Sequence, residues 1–269
     1  MALRHWLVAA TLGSALFASQ AQAHPVWMLP SEFNLSVEEP YWITVDATAS
    51  HGVFSFDKPI SLNSATIYGP EGERERMGSY YKGQRRSVFD LLLDKPGTWK
   101  VELSGGPRYM TRYVIGERNT ERRAFGSKLD VELPEGAREV NTLAMQNISA
   151  FYVTQGMPNR KVLETTGEGF EFHALTHPSD VALQEEAEFR FTYDGQPIAN
   201  MDVELVPQGT AWRDSRMQQD LQTDADGVVR FTPEKTGPHL LSARMRRDID
   251  SPLADSAGIN YLLSLEVLP

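Results

Sequence analysis

The sequence predicts an all-β protein made of two antiparallel β-sandwiches behind an export signal. Three observations predict this class. Short runs rich in β-branched and aromatic residues recur along the chain. Turns that contain Gly, Pro, Asp or Asn separate these runs. The chain has 269 residues, which after loss of a signal leaves enough for two ordinary domains, each with a core of its own.

The first element is a secretory signal peptide, predicted over residues 1–23. A short basic start, an apolar run and a small-residue Ala-x-Ala site that ends at Ala23 form the three-part pattern of such peptides. Cleavage after Ala23 makes His24 the first residue of the mature chain. Cleavage after Ala21 is the alternative, and it would leave Gln22 at the front. Either cut predicts a periplasmic protein.

The N-terminal β-sandwich is predicted over residues 24–116. Within 41–48, the apolar side chains of Tyr41, Ile43 and Val45 alternate with the side chains between them, which predicts one buried and one more open face. The predicted strands of this unit are 33–37, 41–48, 64–68, 87–93, 98–103 and 108–115.

A connector is predicted over residues 117–166. Its first part, 117–128, is rich in Arg and Glu and is interpreted as a solvated short helix or loop. Two strands, 129–133 and 142–154, are predicted to cross between the sandwiches. A break that contains Gly and Pro follows them at 155–159.

The C-terminal β-sandwich is predicted over residues 167–269. Its short strands separated by turns are typical of an immunoglobulin-like or transthyretin-like sandwich. The Asp-x-Asp-Gly sequence at 224–227 lacks the later ligands and the Glu of an EF-hand, so it predicts a hairpin turn rather than a calcium loop. The predicted strands are 170–176, 186–193, 201–207, 227–232, 239–244 and 260–267.

Composition excludes several classes of function. The chain has 26 Lys plus Arg against 36 Asp plus Glu, a net charge of −10, which argues against nucleic acid as a partner. It has no Cys, so disulfides, thiolate metal sites and thiol catalysis are excluded. No apolar segment after the signal is long enough to span a membrane. There is no Gly-x-Ser-x-Gly elbow or phosphate-binding glycine loop, and no enzymatic activity is predicted.

An N-terminal His24 would have a chemistry that an internal histidine lacks. A free α-amine has a pKa of roughly 7.7–8.0, and together with the imidazole of the same residue it can chelate one ion. A second imidazole would complete a planar three-nitrogen set, called a histidine brace, which suits copper(II) or nickel(II). The next residue, Pro25, has no amide hydrogen and cannot bind as a deprotonated peptide nitrogen. The alternative interpretation is that His24 is merely what cleavage leaves behind.

His177 is the first choice for the second ligand. It follows the predicted strand 170–176 and precedes Pro178, at a rim where loops can meet. The alternative is that its ring hydrogen-bonds a backbone carbonyl and fixes an extended X-Pro corner. His51, in a predicted loop before Gly52, is a second-tier ligand.

The remaining histidines and the tryptophans are weaker candidates. His173 is four positions from His177, and along a strand this spacing separates two rings by roughly 13 Å. His239 lies in an apolar strand and is expected in the core or at its rim. Trp27 and Trp99 alternate with apolar residues and are also expected in the core, although exposed tryptophans would favour sugar binding.

Several segments together resemble one protein family. They are His-Pro-Val-Trp-Met-Leu-Pro-Ser at 24–31, the strand at 42–47, Pro-Gly-Thr-Trp at 96–99, Leu-Thr-His-Pro-Ser-Asp at 175–180 and Thr-Asp-Ala-Asp-Gly at 223–227. With the signal peptide, they resemble the domain of unknown function 4198 family over nearly the whole mature chain. Proteins of that family are labelled as periplasmic components of nickel or cobalt uptake systems.

The resemblance implies a transition-metal ion as cofactor, namely copper, nickel or cobalt. It also implies partners among the components of metal uptake or the periplasmic reductases. Carried over residue by residue, His24 and His177 match histidines of the family. Asp180 matches an acidic position and is a second-tier ligand, and Asp46 matches another.

Three functions remain open at this point. The leading hypothesis is a periplasmic, non-catalytic metal-binding accessory protein that holds an ion at His24 and His177. The alternative is a structural or adhesive β-sandwich module that binds a protein or glycan without metal. The third is a copper-dependent oxidase resembling the polysaccharide monooxygenases, which rests on His24 alone.

Overall fold

A computed structural model describes residues 24–75 and 77–269, and the predicted signal peptide lies outside them. The described residues form an all-β structure with three one-turn 3₁₀ helices, Lys161–Leu163, Pro178–Asp180 and Thr210–Trp212. The strands are β1 (Val26–Pro30), β2 (Asn34–Leu35), β3 (Tyr41–Ala49), β4 (Lys58–Pro59), β5 (Ala65–Tyr68), β6 (Arg74–Glu75), β7 (Tyr81–Lys82), β8 (Ser87–Leu93), β9 (Gly97–Ser104), β10 (Arg108–Ile115), β11 (Thr120–Phe125), β12 (Arg138–Gln155), β13 (Phe170–Ala174), β14 (Ala187–Tyr193), β15 (Gln196–Pro197), β16 (Asp202–Pro207), β17 (Gln219–Gln222), β18 (Val228–Phe231), β19 (Gly237–Asp248) and β20 (Ser256–Val267).

The N-terminal sheet has the strand order β1-β3-β8-β7, with β4 also paired to β3, and its pairs are antiparallel. Its strand β3 confirms the predicted alternation at Ile43 and Val45, whereas Tyr41 at its first position is 38% exposed. Ile43 and Val45 are 1% and 0% exposed, whereas Trp42 between them is 62% exposed. One face of β3 therefore packs on a core and the other faces solvent.

The largest sheet runs in the order β17-β16-β19-β20-β12-β9-β5-β6, with β10 and β2 also paired to β12 and β11 paired to β10. It contains strands from both predicted sandwiches. Its middle strand, β12, pairs in parallel with β20 and antiparallel with β9 and β10. A smaller sheet has the order β13-β14-β15, with β18 on β14.

Strand β12 contributes to two hydrophobic cores. Phe151 and Val153 belong to the N-terminal core, which contains Met28 and Trp99. Ile148, Ala150 and Tyr152 belong to the C-terminal core, which contains Phe189 and Leu241. Successive side chains of a strand point to opposite faces, so one strand can fill both cores. The strand predicted at 142–154 is therefore confirmed as part of β12.

A third, smaller cluster lies between elements that are far apart in sequence. Its buried residues are Trp27, Val53, Phe54, Val206, Leu240 and Leu262. They come from β1, from the loop after β3, and from β16, β19 and β20. This third cluster holds the N-terminal sheet against the largest sheet.

Each of the twelve strands predicted within the two sandwiches overlaps an observed strand. Two other predictions are wrong. Residues 117–128 are not a helix or connector loop, because β10 turns at Gly116 and returns as β11. Residues 129–133 are not a strand, because the N–H groups of Asp130 and Val131 donate to Ser127 O and form a turn.

The Asp-x-Asp-Gly segment forms a turn, as predicted. Asp224 Oδ1 accepts hydrogen bonds from the N–H groups of Asp226 and Val228. The strands that the turn joins, β17 and β18, lie in different sheets, so it is not the predicted hairpin. Among the described residues, no helix has the length and apolar character needed to cross a lipid bilayer.

Candidate functional site

The pairing of β1 with β3 brings His24 next to His51. Val26 lies opposite Ala49, and Pro25 O accepts a hydrogen bond of 2.9 Å from Ser50 N. Continued two residues beyond the Val26–Ala49 pair, the same register sets His24 opposite His51. Directly opposed residues have their side chains on one face of an antiparallel pair, close enough to touch. The two imidazole rings are 4.1 Å apart between centroids, with planes tilted by 38°.

Strand β1 is held in position from both faces. Met28 packs in the N-terminal core and Trp27 in the third cluster, and both are 0% exposed. A strand buried on both sides cannot slip by one residue without moving every side chain to the wrong face. The position of His24, two residues before β1, is therefore set by the packing of Trp27 and Met28.

The loop that carries His51 is closed by hydrogen bonds at its base. Ser50 Oγ donates to Asp57 Oδ2 at 2.6 Å, and Gly52 N donates to Ser50 Oγ at 3.1 Å. The backbone N–H of His51 also helps to lower the pKa of the Asp57 carboxylate. Asp57 thus ties both ends of the loop together and fixes the backbone of His51.

The middle of the same loop is anchored in the third cluster. Val53 and Phe54 are buried, and the ring of Phe54 meets Trp27 edge to face at 5.2 Å between centroids. Phe54 has a left-handed φ of 52°, a backbone conformation that a non-glycine residue keeps only where packing holds it. The loop that presents His51 is consequently part of the folded core.

The charges around His24 favour its neutral form. Partial removal of water lowers the pKa of the imidazole below its usual 6.5, and the charges of Lys58 and His51 lower it further. The Asp57 carboxylate opposes this shift in part, and its own pKa is lowered, chiefly by the hydrogen bond from Ser50. A neutral imidazole is the form that binds a metal ion. His24 is half-buried and His51 is exposed, so both rings can be reached from solvent.

The nitrogen donors at this place suit the implied transition metal. His24 and His51 supply two imidazoles, and a chain that begins at His24 would add its α-amine. Nitrogen donors of this kind favour copper(II), nickel(II) or cobalt(II) over magnesium or calcium. No group of three or more His, Asp or Glu side chains that could hold a metal is found in residues 24–75 and 77–269. The third donor of a brace would therefore have to come from the backbone amine.

The ring of His177 stabilises a backbone corner before Pro178. His177 is 4% exposed. Its Nδ1 accepts from Ser179 N at 3.1 Å, and its Nε2 lies 2.9 Å from Asn159 O, to which it donates. Both ring nitrogens are thus occupied, and burial lowers the pKa of the ring. This arrangement matches the alternative interpretation of His177, in which its ring hydrogen-bonds a backbone carbonyl and fixes an extended corner before Pro178.

His177 also lies at the wrong end of β1 to share an ion with His24. Its neighbour Thr98 contacts Thr154, which pairs with Asn34 beyond the C-terminal end of β1. His24 precedes the N-terminal end of the same strand, which at five residues is roughly 16 Å long. The structure therefore does not bring His24 and His177 together, and the histidine that lies beside His24 is His51. Asp180 is in the same 3₁₀ turn as the His177 corner.

The burial and hydrogen bonds of the remaining candidate residues indicate structural roles. His239 is 2% exposed and its Nδ1 lies 2.8 Å from Gly237 O, which confirms the predicted core position. His173 lies between the hydroxyls of Thr165 and Thr192. The predicted burial of Trp27 and Trp99 is confirmed, since both are 0% exposed.

The fold and the site define a class of protein: an all-β chain of several mainly antiparallel sheets, with a histidine pair at the start of its first strand. Comparison with protein families then places the chain. It belongs to the family described as Domain of unknown function (DUF4198), whose profile matches residues 21–247. A comparison with curated proteins gives no match.

Three solved structures are similar to the chain at low sequence identity. The D0-D1 domain of intimin is 14% identical, covers 92% of this chain and 99% of its own, and has a TM-score of 0.23. The trypsin-activated alpha-2-macroglobulin from Escherichia coli is 11% identical, with 90% and 23% covered and a TM-score of 0.21. The D00-D0 domain of intimin is 12% identical, with 91% and 100% covered and a TM-score of 0.20. Likeness at this level supports no statement about function.

Proposed function

We propose that the protein is a periplasmic, non-catalytic metal-binding accessory protein that holds a transition-metal ion at His24 and His51 and passes it to an uptake or reduction system. One observation carries the proposal. The β1–β3 register sets two imidazole rings side by side, 4.1 Å apart between centroids and tilted by 38°, at the residue that the predicted signal cleavage would make the N-terminus.

The local structure supports binding by a preorganised site. Trp27 and Met28 fix the strand that carries His24, and Asp57 and Phe54 fix the loop that carries His51. Little side-chain and backbone freedom would be lost on binding, and this loss is a main cost of holding a ligand. Copper, nickel and cobalt are the candidate ions, because all three accept imidazole nitrogen.

The openness of the pair supports transfer rather than a structural role. Structural metal sites are closed, with every coordination position filled by the protein. Here the His51 ring is exposed and His24 is half-buried, so a ligand from a partner could reach an ion held between them. An accessory protein that delivers its ion needs such access.

The proposal is tested by metal analysis and titration of protein exported to the periplasm. Wild type is expected to carry or bind one copper(II) or nickel(II) per chain, and His24→Ala and His51→Ala should each lower the affinity by at least tenfold. His173→Ala is the matched control, since the polar partners given for that ring are threonine hydroxyls and the carboxylate of Glu171, far along the chain from His24. Equal affinity of wild type and His51→Ala would overturn the proposed site.

A further inference from the structure

We propose that the free edge of β11 binds an extended acidic segment of a partner protein, which adds to the largest sheet as a further strand. Strand addition of this kind uses backbone hydrogen bonds for affinity and alternate side chains for specificity. The inference is independent of the metal site, because it rests on a different part of the molecule.

Strand β11 is an edge strand with outward backbone groups. It pairs with β10 alone among the described strands. Gly126 N donates to Tyr109 O, which makes these two a hydrogen-bonded pair of the ladder. Such pairs alternate with pairs whose N–H and C=O groups point away. By this alternation, the backbone groups of Glu121, Arg123 and Phe125 point outward, and no partner for them exists in the structure as described.

Unpaired positive charge is concentrated beside this edge. Arg112 on β10 lies directly opposite Arg123 on β11, and like charges in that relation repel. Residues 108–125 contain five arginines and two glutamates, in a chain whose net charge is −10. Within the described ranges, the side chains of Arg112, Arg122 and Arg123 make no ion pair or hydrogen bond. Carboxylates supplied by a bound strand would relieve the repulsion between Arg112 and Arg123.

An exposed apolar patch adjoins the arginines. Phe125 is 78% exposed and lies two residues from Arg123, on the same face of β11. Leu129, just after the strand, is 71% exposed. Aromatic residues and arginine are enriched where partners bind, because they give large contacts and strong hydrogen bonds. The edge therefore offers cationic and apolar contacts on the same face.

Charge on an edge strand also has a protective role, because it prevents edge-to-edge aggregation. That role accounts for Arg122 and Arg123. It does not account for Arg112, which lies one strand further in, or for an exposed Phe125 on an edge that should repel partners. A second copy of this chain is the other occupant that an edge strand could take, and the sedimentation measurement below distinguishes it from an acidic partner.

The test uses a fluorescent eight-residue peptide of alternating Glu and Val and measures its anisotropy with the full mature chain at low salt. The alternation sets all carboxylates on one face of the added strand. Arg112→Gln together with Arg123→Gln should weaken binding by about tenfold, because two charge-assisted contacts are lost. A peptide with Lys in place of Glu should not bind. Failure of the acidic peptide to bind wild type would overturn the proposal.

A pair of variants at Glu121 separates strand pairing from simple charge attraction. Glu121→Gln removes a negative charge and should leave binding equal or tighter. Glu121→Pro removes the same charge and also the outward N–H, and an edge strand tolerates proline in that position. It should bind about three- to tenfold more weakly than Glu121→Gln, the loss expected for one hydrogen bond. Equal binding of the two variants would show that the edge is not used.

Two further measurements address the other occupants. Vesicles of phosphatidylglycerol should not compete with the acidic peptide. Sedimentation of wild type should show a monomer at the concentrations used. Tight vesicle binding that Arg112→Gln and Arg123→Gln abolish, or a dimer that Glu121→Pro abolishes, would overturn the proposal in favour of a membrane surface or a second copy. Circular dichroism of each variant checks that the fold is retained.

Discussion

His24 shows how far a single residue can be interpreted from sequence. As an N-terminal residue it has an α-amine and an imidazole that can chelate one ion, and this prediction does not depend on the fold. Its partner cannot be read in the same way, because a strand register follows from packing across the whole sheet. The sequence therefore ranks His51 below His177 as a candidate ligand. The position of His177 before Pro178 suits a metal ligand and a structural corner equally. The hydrogen bonds of His177 favour the corner.

The lowered pKa of His24 gives a prediction at the same scale. The folded chain binds fewer protons at this ring than the unfolded chain, so the stability that the ring contributes is fully present above pH 6.5 and is lost as the pH falls through the lowered pKa. Metal binding also falls as the ring takes up a proton, and it begins to fall at a higher pH where the α-amine, with a pKa of roughly 7.7–8.0, is a ligand. Lys58→Gln should raise the pKa of His24 toward 6.5, because it removes a nearby positive charge. Titration of the histidine signals by NMR measures this, with Lys82→Gln as the control. An unchanged pKa in Lys58→Gln would contradict the account.

At the scale of strands, the alternation of apolar residues predicted most of the strand positions. The strands that it missed were missed for physical reasons. No strand is predicted over residues 26–30, yet they form β1, which is apolar on both faces and so lacks alternation. The sequence predicts a solvated short helix or loop over residues 117–128, because they are rich in Arg and Glu. Within them Thr120–Phe125 forms β11, because an edge strand can point arginines to solvent on both faces.

The third cluster gives a prediction about β1 and the His51 loop. Trp27→Ala should destabilise the protein by about 3–5 kcal/mol, because it removes a large, fully buried side chain that contacts Phe54. It should also weaken metal binding, since the loop that carries His51 loses its anchor. Urea unfolding and calorimetric titration measure the two effects. Trp212→Ala is the control, because Trp212 is 85% exposed. Similar losses in both variants would contradict the role of the cluster.

At the scale of the whole molecule, the composition and the series of strands predicted the all-β class but not how the sheets connect. The sequence predicts a connector over 117–166. In the structure this stretch contains β12, the middle strand of the largest sheet, whose two faces fill two cores. Short-range patterns do not reveal a strand that pairs with β20, since more than a hundred residues separate its partners.

A strand shared by two cores predicts a single unfolding transition. Phe189→Ala in the C-terminal core should lower the free energy of unfolding by about 3–5 kcal/mol. Because β12 joins both cores, the amides of β3 in the N-terminal sheet should lose protection from hydrogen exchange by the same amount as those of β14. Exchange measured residue by residue on wild type and variant decides this. Unchanged protection of β3 would show that the two cores unfold separately.

The central claim is that His24 binds a metal ion through its α-amine and its ring, together with His51. The most direct test is calorimetric titration of copper(II) into two forms of the protein, one beginning at His24 and one with a Met ahead of it. The added residue turns the amine into a non-basic amide and leaves both imidazoles and the fold in place. The extended form is expected to bind at least tenfold more weakly, as His51→Ala should also do. Equal affinity of the two forms would show that the amine is not a ligand and would contradict the account.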